Sequence, residues 1–223
     1  MNPYPSYKES GIEWIGEIPT GWSVKPLKYF TDVTLGKMLT PEDKGGYLLK
    51  PYLRSQNVQN ERTDVSDVKE MWFSERELPL YRLKKGDLLV NEGGDVGRTS
   101  MWEEELEEVY IQNSINRVSV LVGMNRYYLY HFVLNHTIGY FDSVVNRVSI
   151  SHLTKEKLMN VSFLYPPLQE QQQIVDHLDK ETTKIDSTIE KETHRIDLLK
   201  EYRQSLISEV VTGKVDVRDK VSV

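Results

Sequence analysis

Tyr165-Pro166-Pro167-Leu168-Gln169-Glu170-Gln171-Gln172 is where the chain changes character. Behind the two prolines, no glycine or proline occurs until Gly213. The spacing predicts one helix from about Gln169 to Val211, roughly 65 Å long at ~1.5 Å per residue. Its ends are marked in the sequence. Pro167 stands where a helix start tolerates proline, and Glu170 falls in the first turn, where the helix dipole favours an acid. Gly213 is a suitable stop. Stepping by three and four from Val175 gives Leu178, Thr182, Ile185, Ile189, Glu192, Ile196, Leu199, Arg203, Leu206 and Val210. Eight of these eleven positions are aliphatic, the pattern of a coiled-coil seam. The alternative is an amphipathic helix lying on its own domain. A globule of about 165 residues is only ~30 Å across, so it cannot cover the whole seam, and the distal half needs another helix. The predicted contact set is Val175, Leu178, Ile185, Ile189, Ile196, Leu199, Leu206 and Val210. An antiparallel homodimer would put Glu192 near the helix midpoint and Thr182 opposite Arg203.

Upstream of the prolines, strand-like segments alternate with turns. Leu48 to Leu53, Asp87 to Asn91, Asn116 to Leu121 and Val161 to Tyr165 are rich in β-branched, aliphatic or aromatic residues. Gly45-Gly46, Lys85-Gly86-Asp87 and Gly93-Gly94-Asp95 read as turns. One helical stretch is expected from about Arg126 to Val145. The expected fold is therefore α+β: a globule with a mixed or antiparallel sheet over residues 1–165, then one long coiled-coil helix and tail over residues 166–223.

The 223 residues are 39% hydrophobic and 28% charged, with a net charge of −6 and no cysteine. These values suit a well-solvated protein without disulfide, thiolate metal site or thiol nucleophile, and a cytoplasmic location is expected. No stretch approaches the roughly 20 apolar residues that span a bilayer, and Met1-Asn2-Pro3-Tyr4-Pro5 does not open like a signal peptide. The acid is concentrated: residues 99–108 hold five glutamates and no base, and residues 169–212 hold ten acids against six bases. Residues 109–168 carry +3. The negative total thus leaves room for a phosphate-facing surface in the first 168 residues, with modest non-specific affinity for one chain alone.

Signals for catalysis are thin. Asn2-Pro3-Tyr4 shares part of the Asn-Pro-Pro-Tyr signature of adenine methyltransferases, but no glycine-rich strand-turn-helix follows it. Asp32 with Glu42-Asp43-Lys44 has the loose spacing of a metal-dependent nuclease, although Pro41 and Gly45-Gly46 make that segment a turn. His131, His136, His152, His177 and His194 lack metal-ligand spacing. Neither a metal site nor a catalytic residue is expected.

Several segments together resemble the specificity subunit of type I restriction-modification systems. They are Tyr4 through Pro19 with Gly21-Trp22, Leu83 through Val90 with Gly94-Asp95-Val96-Gly97, Ile150 through Leu153 leading to Pro166 through Gln172, and Leu199 through Ser208 with Val211-Thr212-Gly213-Lys214. Their order and spacing run through nearly the full chain. Family members usually carry two recognition domains and two spacer helices, whereas this chain has one of each and no internal repeat. The resemblance implies a non-catalytic, half-size subunit that recognises DNA and pairs, most simply with itself, to read a bipartite palindromic site. The family works with methyltransferase subunits and a restriction subunit, which would hold the S-adenosylmethionine, ATP and Mg²⁺; no cofactor is expected in this chain. A truncated coiled-coil protein that binds methyltransferase subunits without reading DNA is the alternative.

Base edges in the major groove are read by Arg or Lys at guanine and Asn or Gln at adenine. These types cluster in three places. The first holds Arg54, Ser55, Gln56, Asn57, Gln59, Asn60 and Arg62. The second holds Arg98, Asn113, Asn116 and Arg117, with Gln112 and Ser114. The third holds Asn146, Arg147, Ser149, Ser151, His152 and Lys155, with Lys157. Arg and Lys there suit either bases or phosphates, and phosphate contacts position without specifying.

Overall fold

The computed structural model describes residues 3–145 and 152–218. Asn2, of the partial methyltransferase signature, lies outside the described residues. So do Asn146, Arg147, Ser149 and Ser151 of the third polar cluster.

The chain runs β1 (Tyr7–Glu9), β2 (Glu17–Pro19), β3 (Ser23–Pro26), β4 (Thr31–Leu35), β5 (Leu48–Leu53), β6 (Lys69–Phe73), α1 (Leu78–Tyr81), β7 (Leu88–Asn91), β8 (Thr99–Met101), β9 (Tyr110–Ile111), β10 (Ile115–Val120), α2 (Asn125–Thr137), α3 (Tyr140–Val144), α4 (Lys155–Asn160), β11 (Ser162–Tyr165) and α5 (Leu168–Val211). Short 3-10 turns cover Leu27–Tyr29 and Ser55–Asn57. The largest sheet is antiparallel with order β4-β10-β7-β8, and a mixed sheet has order β6-β5-β9, with β5 and β9 parallel. β1 pairs with β2, and β3 with β11. The chain is α+β.

Residues Ile115 to Val118 of β10 are buried without a break. A strand covered on both faces cannot send its polar residues to water, so Asn116 and Arg117 need internal partners. Asn116 Nδ2 donates to the Leu153 carbonyl at 3.1 Å. Arg117 donates to the Arg82 carbonyl at 2.8 Å and the Thr34 hydroxyl at 3.2 Å, with Asp87 at 4.0 Å. Around them Leu53, Val58, Leu83, Leu89, Trp102, Val109, Ile111 and Ile115 form one apolar cluster, and Tyr52, Met71, Phe73 and Tyr110 a second. Directly after β4, the chain meets the Gln112 backbone so closely that a Cβ on Gly36 would sit 2.3 Å from the Gln112 carbonyl oxygen. Only glycine fits there.

The expected helix over residues 126–145 is two helices. Gly139 takes the left-handed conformation at φ 72° and ends α2 before α3 begins. The break lets α3 turn Phe141 back onto Phe132, ring centroids 5.9 Å apart. His131 of α2 is buried against Phe163 at 4.3 Å. Its Nε2 accepts the Leu164 backbone N–H at 3.1 Å, which requires the neutral ring. Burial pushes the imidazole pKa down to about 4.

The contacts divide the chain into Met1–Ile174 and Val175–Val223. The opening of α5 thus belongs with the globule: Trp22 Nε1 donates to Glu170 at 2.8 Å, and buried Gln171 joins the Met124 amide to the Pro166 carbonyl. In the second unit α5 runs on to Val211. Gly213 at φ 70° closes it, with the Lys214 amide returning to the Glu209 carbonyl at 2.9 Å. Ile185, Ile189, Ile196, Leu199 and Leu206 are all exposed on this helix, whereas Val175 is buried and Leu178 and Val210 are half-buried. Among the described residues no helix is long and apolar enough to cross a membrane.

Candidate nucleic-acid interface

Strand β5 delivers Arg54 and the 3-10 turn at Ser55–Asn57 to one end of its sheet. The loop is organised from inside by Asn57, which is 2% exposed. Its Oδ1 accepts the Arg54 amide, and its Nδ2 donates to the carbonyls of Asp64 and Asp67. Gln59 to Arg62 then form a tight reversal: the Gln59 amide donates to the Arg62 carbonyl, and Glu61 takes φ 67°. Glu61 also bridges Ser100 of β8, and the Thr63 and Ser100 hydroxyls are 3.0 Å apart. Gln59 is half-buried; Gln56, Asn60 and Arg62 are exposed.

The second cluster reaches the first through Ser55. The Ser55 amide donates to Ser114 Oγ at 3.0 Å, and the Ser55 carbonyl accepts from Asn91 Nδ2 and Arg98 Nη2. Ser114 Oγ in turn donates to Gln112, and Gln112 Nε2 donates to Asn113. Arg98 is steadied by Asp95 at 3.2 Å, whose other oxygen meets His136 of α2 at 2.7 Å.

The third cluster arrives at the same place. The Leu153 amide donates to the Glu92 carbonyl at 2.7 Å, and the Glu92 amide donates to the Ser114 carbonyl. His152 and Lys155 are exposed, and Lys157 Nζ holds the His152 carbonyl at 3.2 Å. Burial raises the Glu92 pKa, with His152 opposing that shift. Segments separated by up to about a hundred residues therefore meet through a continuous set of hydrogen bonds around Ser55, Ser114 and Leu153.

Three of the residues expected to face DNA do not face outward. Asn57, Asn116 and Arg117 are buried, and the Nδ2 groups of the two asparagines and both Nη groups of Arg117 donate inside the fold. A base edge cannot reach Asn116 without opening the sheet. Arg54, Ser55, Arg98 and Asn113 are half-buried, and Gln56, Asn60, Arg62, His152 and Lys155 are exposed. The sequence reading missed Asp67, which gathers Arg54, Gln56 and Lys69. An acid gave no signal in a search for phosphate and base partners.

The nuclease-like set is not assembled into a metal site. Asp32 is on β4 and Glu42 and Lys44 are in the following loop, and among the described residues no group of three His, Cys, Asp or Glu could hold a metal ion.

Comparison with known proteins adds the family. The type I restriction modification DNA specificity domain family matches residues 19–201. The putative type I restriction enzyme MjaX specificity subunit of Methanocaldococcus jannaschii is 24% identical over 94% of this chain and 50% of its own length. The EcoKI specificity subunit of Escherichia coli K12 is 24% identical over 90% of this chain and 44% of its own. Two solved structures share the fold. A chain from a study of assembly and conformational transition of the type I R-M system aligns over 91% of this chain and 48% of its own, with TM-score 0.68 and 18% identity. The HsdS subunit of Thermoanaerobacter tengcongensis aligns over 81% of this chain and 41% of its own, with TM-score 0.57 and 18% identity. The chain spans about half the length of the curated relatives and structures that it matches end to end.

Proposed function

Since the chain belongs to the type I restriction-modification DNA specificity family, we propose that it is the non-catalytic DNA-reading component of such a complex. The observation that carries this reading is the convergence of the three polar clusters. Arg, Asn, Gln and Ser side chains from residues 54–62 and 98–116 and the Leu153 backbone, beside exposed His152 and Lys155, share one hydrogen-bonded framework, the arrangement that base readout by several loops needs. The buried members hold loop backbones in place, and the exposed members, with Arg147 from outside the described residues, are the candidates for base and phosphate contact.

Two chains pair through α5 in this proposal. An exposed stripe of Ile185, Ile189, Ile196, Leu199 and Leu206 favours a helical partner. A second copy is the simplest one, because it carries the same stripe and a two-fold axis lets the two stripes cover each other. A two-fold pair would read two inverted half-sites separated by an unread gap. Adenine methylation and restriction, with their S-adenosylmethionine, ATP and Mg²⁺, belong to partner subunits.

The test is duplex DNA binding by the full chain and by Arg62→Ala and Lys155→Ala variants, alone and with its modification subunit. Each variant is expected to bind several-fold more weakly at moderate salt and to keep the wild-type denaturation midpoint. Unchanged binding in both would remove this face from the interface. Capture of the modification subunit without any DNA binding would favour the truncated-interaction reading instead.

A further inference from the structure

Asp67 sits among side chains expected to bind DNA, although its charge repels phosphate. Its Oδ2 accepts from Arg54 Nη2 at 2.5 Å and from Gln56 Nε2 at 3.1 Å. Its Oδ1 lies 3.2 Å from Lys69 Nζ. The carboxylate is half open to solvent, at 53% exposure. Its hydrogen bond and ion pair with Lys69, aided by Arg54, hold its pKa below the usual aspartate value, so it stays ionised at neutral pH. The Asp67 backbone is fixed separately, by Asn57 Nδ2 on its carbonyl at 3.1 Å. This carboxylate is therefore held at a set position and does not drift as a free surface charge.

We propose that Asp67 is a positioning residue that sets base preference by fixing which polar ends of Arg54 and Gln56 remain available. Gln56 has its amide nitrogen engaged by Asp67, and among the described residues its Oε1 accepts from no protein donor. An acceptor is thereby left for the base. In the major groove the complementary donors are the exocyclic amino groups of adenine and cytosine, while guanine offers only acceptors there. Arg54 is held through Nη2, and among the described residues Nη1 donates to no protein acceptor, which leaves a donor suited to guanine O6 or N7. Free Arg and Gln side chains would lose rotamer freedom on binding; buttressed ones have already lost it. The chemistry read by this pair is an amino-bearing base next to a guanine. The inference rests on the DNA-reading role proposed above.

The charge and the buttress have opposite effects on affinity, and this makes the inference testable. Removing the carboxylate takes a negative charge from a phosphate-facing surface, so binding to arbitrary duplexes should strengthen several-fold at low salt. Releasing Gln56 lets its amide flip, so discrimination at its base should fall by roughly tenfold or more. The experiment compares wild type, Asp67→Asn and Asp67→Ala as full chains, each used to select from a random duplex pool and then titrated with the wild-type consensus and single-base variants of it. Stronger non-specific binding together with relaxed preference at an adenine or cytosine beside a guanine supports the proposal. An unchanged consensus overturns it, whether or not affinity rises, because charge alone then accounts for Asp67. A uniform loss of binding with a lowered denaturation midpoint also overturns it, in favour of a purely structural role. If the wild type itself selects no sequence, the DNA-reading role fails first and this inference with it.

Discussion

Replacing Ile189 and Ile196 with lysine should separate paired chains without unfolding either one. The two side chains are 58% and 51% exposed on the single helix, so roughly half of each remains to be covered by a partner. Full burial of an isoleucine is worth about 1.5–3 kcal/mol, which gives about 1 kcal/mol for each open half. A two-fold pair contains four such side chains, so their removal costs about 4 kcal/mol before any charge term. Four ammonium groups at the seam add desolvation, reduced because lysine can extend its charged end toward water. At 1.4 kcal/mol per decade, the pair should weaken by about a thousandfold or more. Light scattering at several concentrations reads this directly. Wild type should give twice the 26.0 kDa chain mass and the double variant the single mass. Circular dichroism should show the same denaturation of the globule in both. A variant that keeps the double mass would show that this stripe is not the seam.

Three further outcomes follow from the packing. Because His131 is neutral in the fold, with burial pushing its pKa from the ordinary 6.5 to about 4, its contribution is complete above pH 6.5 and lost as pH falls toward 4. The loss is about 1.4 kcal/mol per pH unit and roughly 3 kcal/mol in all. In urea titrations at pH 7 and pH 5, His131→Gln should reduce the pH dependence of stability; an unchanged dependence would contradict the buried neutral ring. Asn57→Ala removes three hydrogen bonds and should cost about 2–4 kcal/mol, with faster amide exchange around residues 64–67; unaltered exchange would mean the loop is held otherwise. Gly36→Ala forces a Cβ against the Gln112 backbone and should lower the unfolding free energy by more than about 1 kcal/mol, whereas a neutral effect would refute the close approach.

The long helix was legible because its signals are local: the paired prolines, the helix-spaced aliphatic positions and Gly213 need no knowledge of tertiary structure. The strand at residues 48–53 was equally plain, and its observed limits coincide with the sequence reading. The break at Gly139 was missed because apolar residues continue on both sides of it, and only the packing of Phe141 on Phe132 shows why the chain turns. The interface was harder. Residue type identified the clusters, but Asn113 and Asn116 look alike in sequence, and only the burial of β10 on both faces separates them. Asp67 was invisible for another reason: only the folded loop brings two cations, Arg54 and Lys69, and the Gln56 amide to its one carboxylate.

The most direct test of the central claim is the sequence that the wild-type chain recovers from a random duplex pool. The account predicts an inverted repeat of two short half-sites separated by a constant, unread gap. Recovery of no common sequence would contradict DNA reading by this chain, and a lone half-site would contradict reading as a symmetric pair.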